Sequence, residues 1–179
     1  MESKIIAAVR RESEFESALL QDIGIIFDLS PDLLNAANRV KKAHESGKRL
    51  FIHIDLATGI GKDESGISFL KGIGVDGIIS TRTNIIKIAK KQGLFTVQRF
   101  FIVDSHSIDT SIETLKTSKA DMIEIMPGTI AKVIKRLKTE LEMPIVAGGL
   151  IETNEEIEEA ILCGATAVST GKKELWRNF

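Results

Sequence analysis

Short apolar runs rich in Ile and Val begin near residues 4, 23, 50, 76, 95, 121, 144 and 166, at intervals of 19 to 27 residues. Amphipathic stretches with helix punctuation lie between them. Ser13 with Glu16 and Thr153 with Glu156 read as capping boxes, and Ser30-Pro31 reads as an N-cap followed by a first-turn proline. Gly47, Gly93 and Gly164 each follow a helical run, where a residue tolerant of the left-handed conformation closes a helix. Strands alternating with helices demand a parallel sheet, because parallel neighbours need a crossover, and eight such units close a barrel. The pattern therefore predicts an α/β chain folded as a small, single-domain (β/α)8 TIM-type barrel over residues 1–179. The usual barrel has about 250 residues, so helices and loops here must be short, with little room for an inserted lid. An open doubly wound sheet is the alternative. It would place a glycine-rich turn after the first strand, where Val9-Arg10-Arg11-Glu12 stands instead.

A composition of 43% hydrophobic and 27% charged residues fits one globular domain with a sizeable core. A single cysteine, Cys163, cannot build an internal disulfide framework, and its place at the end of an apolar helical run makes it a small hydrophobe. The reducing cytoplasm is the expected compartment. Only five uninterrupted apolar residues, Ile5 to Val9, follow the first four, too few for a signal peptide or a membrane span, so no membrane partner is expected. A net charge of −1 gives no whole-chain reason to bind a polyanion.

In TIM-type barrels the ligand sits at the C-terminal ends of the strands. Strand 7 ends Ala147-Gly148-Gly149-Leu150 and strand 8 ends Ser169-Thr170-Gly171. Glycines let backbone N–H groups approach a phosphate, small hydroxyls add donors, and a following helix adds its positive end. Both turns stand where such barrels hold phosphate. His53 and Asp55, two apart, are expected on one face of strand 3. Glu124, inside Met122-Ile123-Glu124-Ile125-Met126, would be unpaired and costly against the helix layer and is expected to face the mouth. Gln98-Arg99 and Ser80-Thr81-Arg82 add donors, and Arg99 is either a ligand contact or the ion-pair partner of Glu124. The loop Asp55–Glu64 carries two glycines, and Lys62 within it is either a charge that closes over an anion or a solvated side chain. His53, Asp55, His106 and Glu124 raise the question of a metal, but no H-E-x-x-H helix and no cysteine cluster accompany them, so no metal is expected.

The ordered segments Phe51–Leu56 with Gly59–Asp63, Asp76–Thr81, Gln98–Phe100, Glu124–Gly128, Pro144–Ile151, Ala167–Thr170 and Glu174–Trp176 resemble the glycerol-3-phosphate-responsive antiterminator family, the glycerol uptake operon regulators of bacteria. The resemblance covers nearly the whole chain and is loosest at Phe27–Pro31. It implies a small barrel that binds glycerol 3-phosphate as a regulatory ligand, uses no cofactor, and acts on the leader mRNA of glycerol genes to let transcription pass a terminator. Carried onto this chain, it places the phosphate on Gly148, Gly149, Ser169 and Thr170, while Asp55, Arg99 and Glu124 would face the glycerol end or order the pocket. The strand-end turns and loops add Leu150 and Gly171 as phosphate-site candidates and His53, Lys62 and Pro127 as ligand-site candidates.

A pI near 6.3 is unlike that of domains that bind RNA by charge alone, so an RNA surface must be a local basic patch. Lys132, Lys135, Arg136 and Lys138 on the sixth helix are the candidates carried forward, beside basic groups on the second and fourth. Solvation of an outer helix explains such lysines equally well. No complete nucleophilic triad is present, and a cofactor-free phosphosugar isomerase, lyase or synthase is the competing function, with Asp55 or Glu124 as acid or base. Whether the chain forms a homo-oligomer is left open.

Overall fold

A computed structural model describes residues 3–177. Eight parallel strands, β1 (Ile5–Val9), β2 (Ile25–Asp28), β3 (Arg49–His53), β4 (Gly77–Ser80), β5 (Phe95–Phe101), β6 (Met122–Met126), β7 (Ile145–Gly148) and β8 (Ala167–Thr170), close into a barrel in sequence order. The β1–β8 pairing completes it, with Ile6 opposite Ser169. Seven helices cover the described barrel: α1 (Glu12–Leu19), α2 (Ala36–Glu45), α3 (Glu64–Gly72), α4 (Thr83–Lys91), α5 (Ser105–Ser118), α6 (Ala131–Glu140) and α7 (Asn154–Leu162). Each strand start expected from the apolar runs lies within two residues of the observed one. Among the described residues no helix is long and apolar enough to cross a membrane.

The strand period of two sorts side chains into two cores. Ile5, Ala7 and Val9 face outward and join the larger core under the helices, whereas Ile6 and Ala8 point inward with Phe27, Phe51, Ile79, Val97 and Val146. Phe27 and Phe51 stack at 5.7 Å between ring centroids, and Gly77 permits this because a Cβ there would stand 2.8 Å from the Phe51 ring. Moving two residues along β3, β5, β6 and β8, the inward positions turn from apolar to polar: Phe51 to His53, Val97 to Arg99, Met122 to Glu124, Ala167 to Ser169. One end of the barrel is thus an apolar plug and the other a buried polar layer. Asp28 belongs to neither. It follows the outward residue Ile26 and faces the helices, where Arg39 Nη1 donates to it at 2.8 Å and also bridges to Glu12. Burial pushes the Asp28 carboxyl up against the lowering pull of Arg39.

Two helix starts differ from expectation. The N-cap of α1 is Arg11, and the carboxylate that caps its first turn is Glu14, whose Oε2 accepts from the N–H of Arg10 at 2.7 Å, rather than a Ser13–Glu16 pair. Ser30-Pro31 opens no helix. Pro31 instead accepts from the N–H of Thr58 at 2.9 Å, Thr58 accepts from Leu33 at 3.0 Å, and α2 begins only at Ala36. Pairing between the two loops outcompetes the proline signal there. The Thr153–Glu156 box caps α7 as expected.

Candidate ligand site at the barrel mouth

The polar layer is a continuous chain of contacts. Glu124 Oε2 accepts from Arg99 Nε at 2.6 Å, and its Oε1 accepts from Ser169 Oγ at 2.6 Å. Glu124 is 1% exposed and Arg99 5%. A buried ion pair returns its desolvation cost only when geometry and further hydrogen bonds are good, and here both carboxylate oxygens are engaged. Arg99 Nη1 lies 3.4 Å from His53 Nδ1. The His53 Nε2 has no partner within hydrogen-bond distance among the described residues and lies 3.6 Å from Asp55 Oδ2. Asp55 accepts from Ser80 Oγ at 2.7 Å, Thr81 N at 2.7 Å and Thr81 Oγ1 at 2.8 Å. Burial works against its charge, yet His53, Thr81 and Ser80 outweigh it and hold the Asp55 carboxyl far below the usual carboxylate range.

Above this layer opens a cavity of about 600 Å3. Glu124, Arg99 and Ser169 lie at its floor, Met126 and Pro127 form a wall, the turns at Gly149–Glu152 and Thr170–Lys172 close one side, and Arg10 and Arg11 stand on another. The turn after β7 runs through left-handed backbone at Gly149 (φ +74°) and at Leu150 (φ 60°). A Cβ on Gly149 would stand 2.7 Å from Met126 Cε, and one on Gly148 only 2.4 Å from Glu124 Oε1 and 2.5 Å from Ser169 Oγ. Neither hydroxyl of the β8 turn has a proton to spare: Ser169 gives its own to Glu124, and Thr170 gives its own to Ile151 O at 2.8 Å. Leu150 and Gly171 line the cavity, and their N–H groups have no backbone acceptor among the described residues, whereas the Gly148–Ser169 pairing of β7 with β8 directs the Gly149 N–H to Ser169 O. The Leu150 and Gly171 amides, not the hydroxyls, are the donors that this side of the mouth offers an anion.

Residues 5–176 match the sequence pattern of the family described as "Glycerol-3-phosphate responsive antiterminator". The chain belongs to that family. It is 36% identical over 176 residues to the Escherichia coli (strain K12) protein YgcP, covering 98% of this chain and 92% of that one. A glycerol uptake operon antiterminator regulatory protein from Listeria monocytogenes is 36% identical, with a TM-score of 0.91 over 96% of this chain and 94% of the other. A related antiterminator-like protein from Thermotoga maritima gives 33%, 0.87, 98% and 99%. The aldolase QR15 superposes with a TM-score of 0.74 at 12% identity, a likeness of fold alone.

Of the positions singled out in this antiterminator-family chain, the structure brings Arg99, Glu124, Pro127, Gly149, Leu150, Ser169, Thr170 and Gly171 around one cavity. Gly148 lies beneath it, packed on Glu124 and Ser169. His53 and Asp55 stand behind Arg99 and do not line it, and Asp55 belongs to a short turn, Ile54–Leu56, past the end of β3. Gln98 faces the helices, donating from Nε2 to Thr83 Oγ1 at 3.2 Å. Lys62 lines neither this cavity nor a smaller one of about 270 Å3 beside α3, and Asp63 next to it caps α3 by accepting from Gly66 N at 2.9 Å. On α6, Arg136 is bound to Asp109 and Glu140, and the Lys138 stem packs on Gly164, while Lys132 and Lys135 lie on the same helix. Sequence reading missed Arg10, Arg11, Phe101, Val103 and Lys172 at the mouth. The dibasic pair right after the first strand was the available signal. Among the described residues no three His, Cys, Asp or Glu side chains converge as a metal would require.

Proposed function

We propose that this chain is a glycerol-3-phosphate-responsive regulator that binds its ligand in the barrel mouth, acts on leader RNA of glycerol-utilisation genes, and turns over no substrate. The observation that carries the reading is the pairing, in one cavity, of free turn amides with a buried carboxylate floor. The N–H groups of Leu150 and Gly171 supply anion donors at the place where TIM-type barrels hold phosphate. Glu124, held by Arg99 and Ser169, keeps lone pairs that accept bonds from glycerol hydroxyls.

The same chemistry argues against the phosphosugar enzyme. A general base works best with a pKa near the working pH, and Asp55 is pinned far below it. Both oxygens of Glu124 are tied to Arg99 and Ser169, an arrangement suited to holding a pose. A gel shift with glycerol-operon leader RNA, with and without glycerol 3-phosphate, tests the reading beside turnover assays on triose and hexose phosphates. Ligand-dependent retardation with no turnover is expected; turnover without retardation would replace the regulator with an enzyme.

A further inference from the structure

We infer that the rim of the same cavity, above the ligand floor, is where single-stranded RNA docks, with a base against Phe101 and flanking phosphates on Arg10 and Arg11. This rests on the RNA reading just given and names its surface. Phe101 is the next inward residue of β5 after Arg99, and it emerges at the mouth 58% exposed. Among the described residues it is the most exposed aromatic, and Trp176 is buried with its Nε1 donating to Thr170 O. Val103 and Leu150, 83% and 69% exposed, line the same opening. An exposed apolar rim of this kind around a cavity marks a surface that is covered in use.

The cavity, at about 600 Å3, falls in the range of roughly 300–1,000 Å3 that holds drug-sized ligands. A three-carbon phosphate on the floor leaves its upper part unfilled and offers nothing apolar to Phe101. Next to this rim Arg10 has no ion-pair or side-chain hydrogen-bond partner among the described residues, and Arg11, 81% exposed, is held only by Glu14. Cationic groups beside an exposed aromatic face are the requirement for binding a single strand, where phosphates meet charge and a base meets the ring. The α6 cations fit less well, since Arg136 is neutralised twice and the stem of Lys138 is packed.

Stacking ligand below and base above also gives response without a moving part. Bound glycerol 3-phosphate becomes the floor on which the base rests, so each raises the other's affinity by the same factor.

The test is the affinity of leader RNA, at saturating glycerol 3-phosphate, for wild type, Phe101→Ala, Phe101→Trp, Arg10→Ala and the α6 double variant Lys132→Ala/Lys135→Ala. Phe101→Ala should weaken binding roughly five- to a hundredfold, the range for losing one stacked base, and Phe101→Trp should preserve it. Arg10→Ala should make the dependence of log affinity on log salt shallower by about 0.7, one single-strand phosphate contact. The α6 variant should bind like wild type. Circular dichroism melting of each variant reports folding independently. Wild-type binding with Phe101→Ala and Arg10→Ala unchanged would overturn the rim as the RNA surface while leaving the regulator standing, and a large loss in the α6 variant would do the same. A mononucleotide displacing the RNA at equal nucleotide concentration would overturn RNA as the occupant. No RNA binding by wild type would overturn the regulator itself, and the rim assignment with it.

Discussion

Glu124 on β6 reaches Ser169 on β8 across the intervening strand β7, and the 2.6 Å hydrogen bond between them passes through space that a side chain on Gly148 would occupy. The glycine that reads as a phosphate turn in the sequence is there first to let two buried side chains meet. A Gly148→Ala substitution puts a methyl group 2.4 Å from Glu124 Oε1 and 2.5 Å from Ser169 Oγ. Overpacking of this kind costs about 1–3 kcal/mol, and displacing Glu124 should also weaken glycerol 3-phosphate binding. Urea unfolding and ligand titration of the same variant measure the two effects.

The Arg99–Glu124 pair makes a sharper prediction. Arg99→Leu strands a carboxylate that is 1% exposed and should destabilise the fold by about 3–5 kcal/mol. The double variant Arg99→Leu/Glu124→Leu should recover much of that loss, because replacing a whole buried pair with apolar groups is far cheaper than breaking it. A double-mutant cycle by denaturant unfolding checks this. If the double variant is as unstable as the sum of the singles, the two residues do not act as a pair.

Glu124→Gln keeps the shape and removes the charge. Hydrogen bonds to charged groups are worth about 1.5–3 kcal/mol, so glycerol 3-phosphate affinity should fall by roughly one to two orders of magnitude. Titration calorimetry reads the loss, and a turnover assay on sugar phosphates should read zero for wild type and variant alike.

Asp55 sets a pH dependence. Its folded-state pKa is lowered by His53, Thr81 and Ser80 acting against burial. A lowered carboxyl contributes stability that is fully present above the unfolded value, about 3.9, and is lost as pH falls through the folded value. The stability gap between wild type and Asp55→Asn should therefore be constant near neutral pH and shrink below about pH 4. A gap that widens on acidification would contradict the hydrogen-bonding assigned to Asp55.

How far the chain could be read in advance follows from which forces were local. The strand order and spacing were readable because a closed parallel barrel imposes one repeating apolar pattern. Glu124 was placed toward the mouth by the cost of burying its charge, and the structure puts it at the cavity floor. Ser30-Pro31 misled because Thr58, distant in sequence, pairs with that loop. Asp55 was placed on β3 by periodicity, but the strand stops at His53 and a turn carries Asp55 back to Ser80 and Thr81. That Ser169 and Thr170 spend their protons inside the protein also depends on neighbours from other strands, which no local pattern encodes.

Under the proposed function, the turn amides after β7 and β8 hold the phosphate of glycerol 3-phosphate over the Glu124 floor. Isothermal titration of the wild-type protein and Gly149→Val with glycerol 3-phosphate and with glycerol tests it most directly. A β-branched residue at Gly149, where φ is +74° and Met126 Cε would lie 2.7 Å from the new Cβ, must distort the turn. Saturable binding of glycerol 3-phosphate to wild type, no heat with glycerol, and loss of binding in Gly149→Val with the fold intact are the predicted results. Equal binding of glycerol and glycerol 3-phosphate, or unchanged affinity in a folded Gly149→Val, would contradict it.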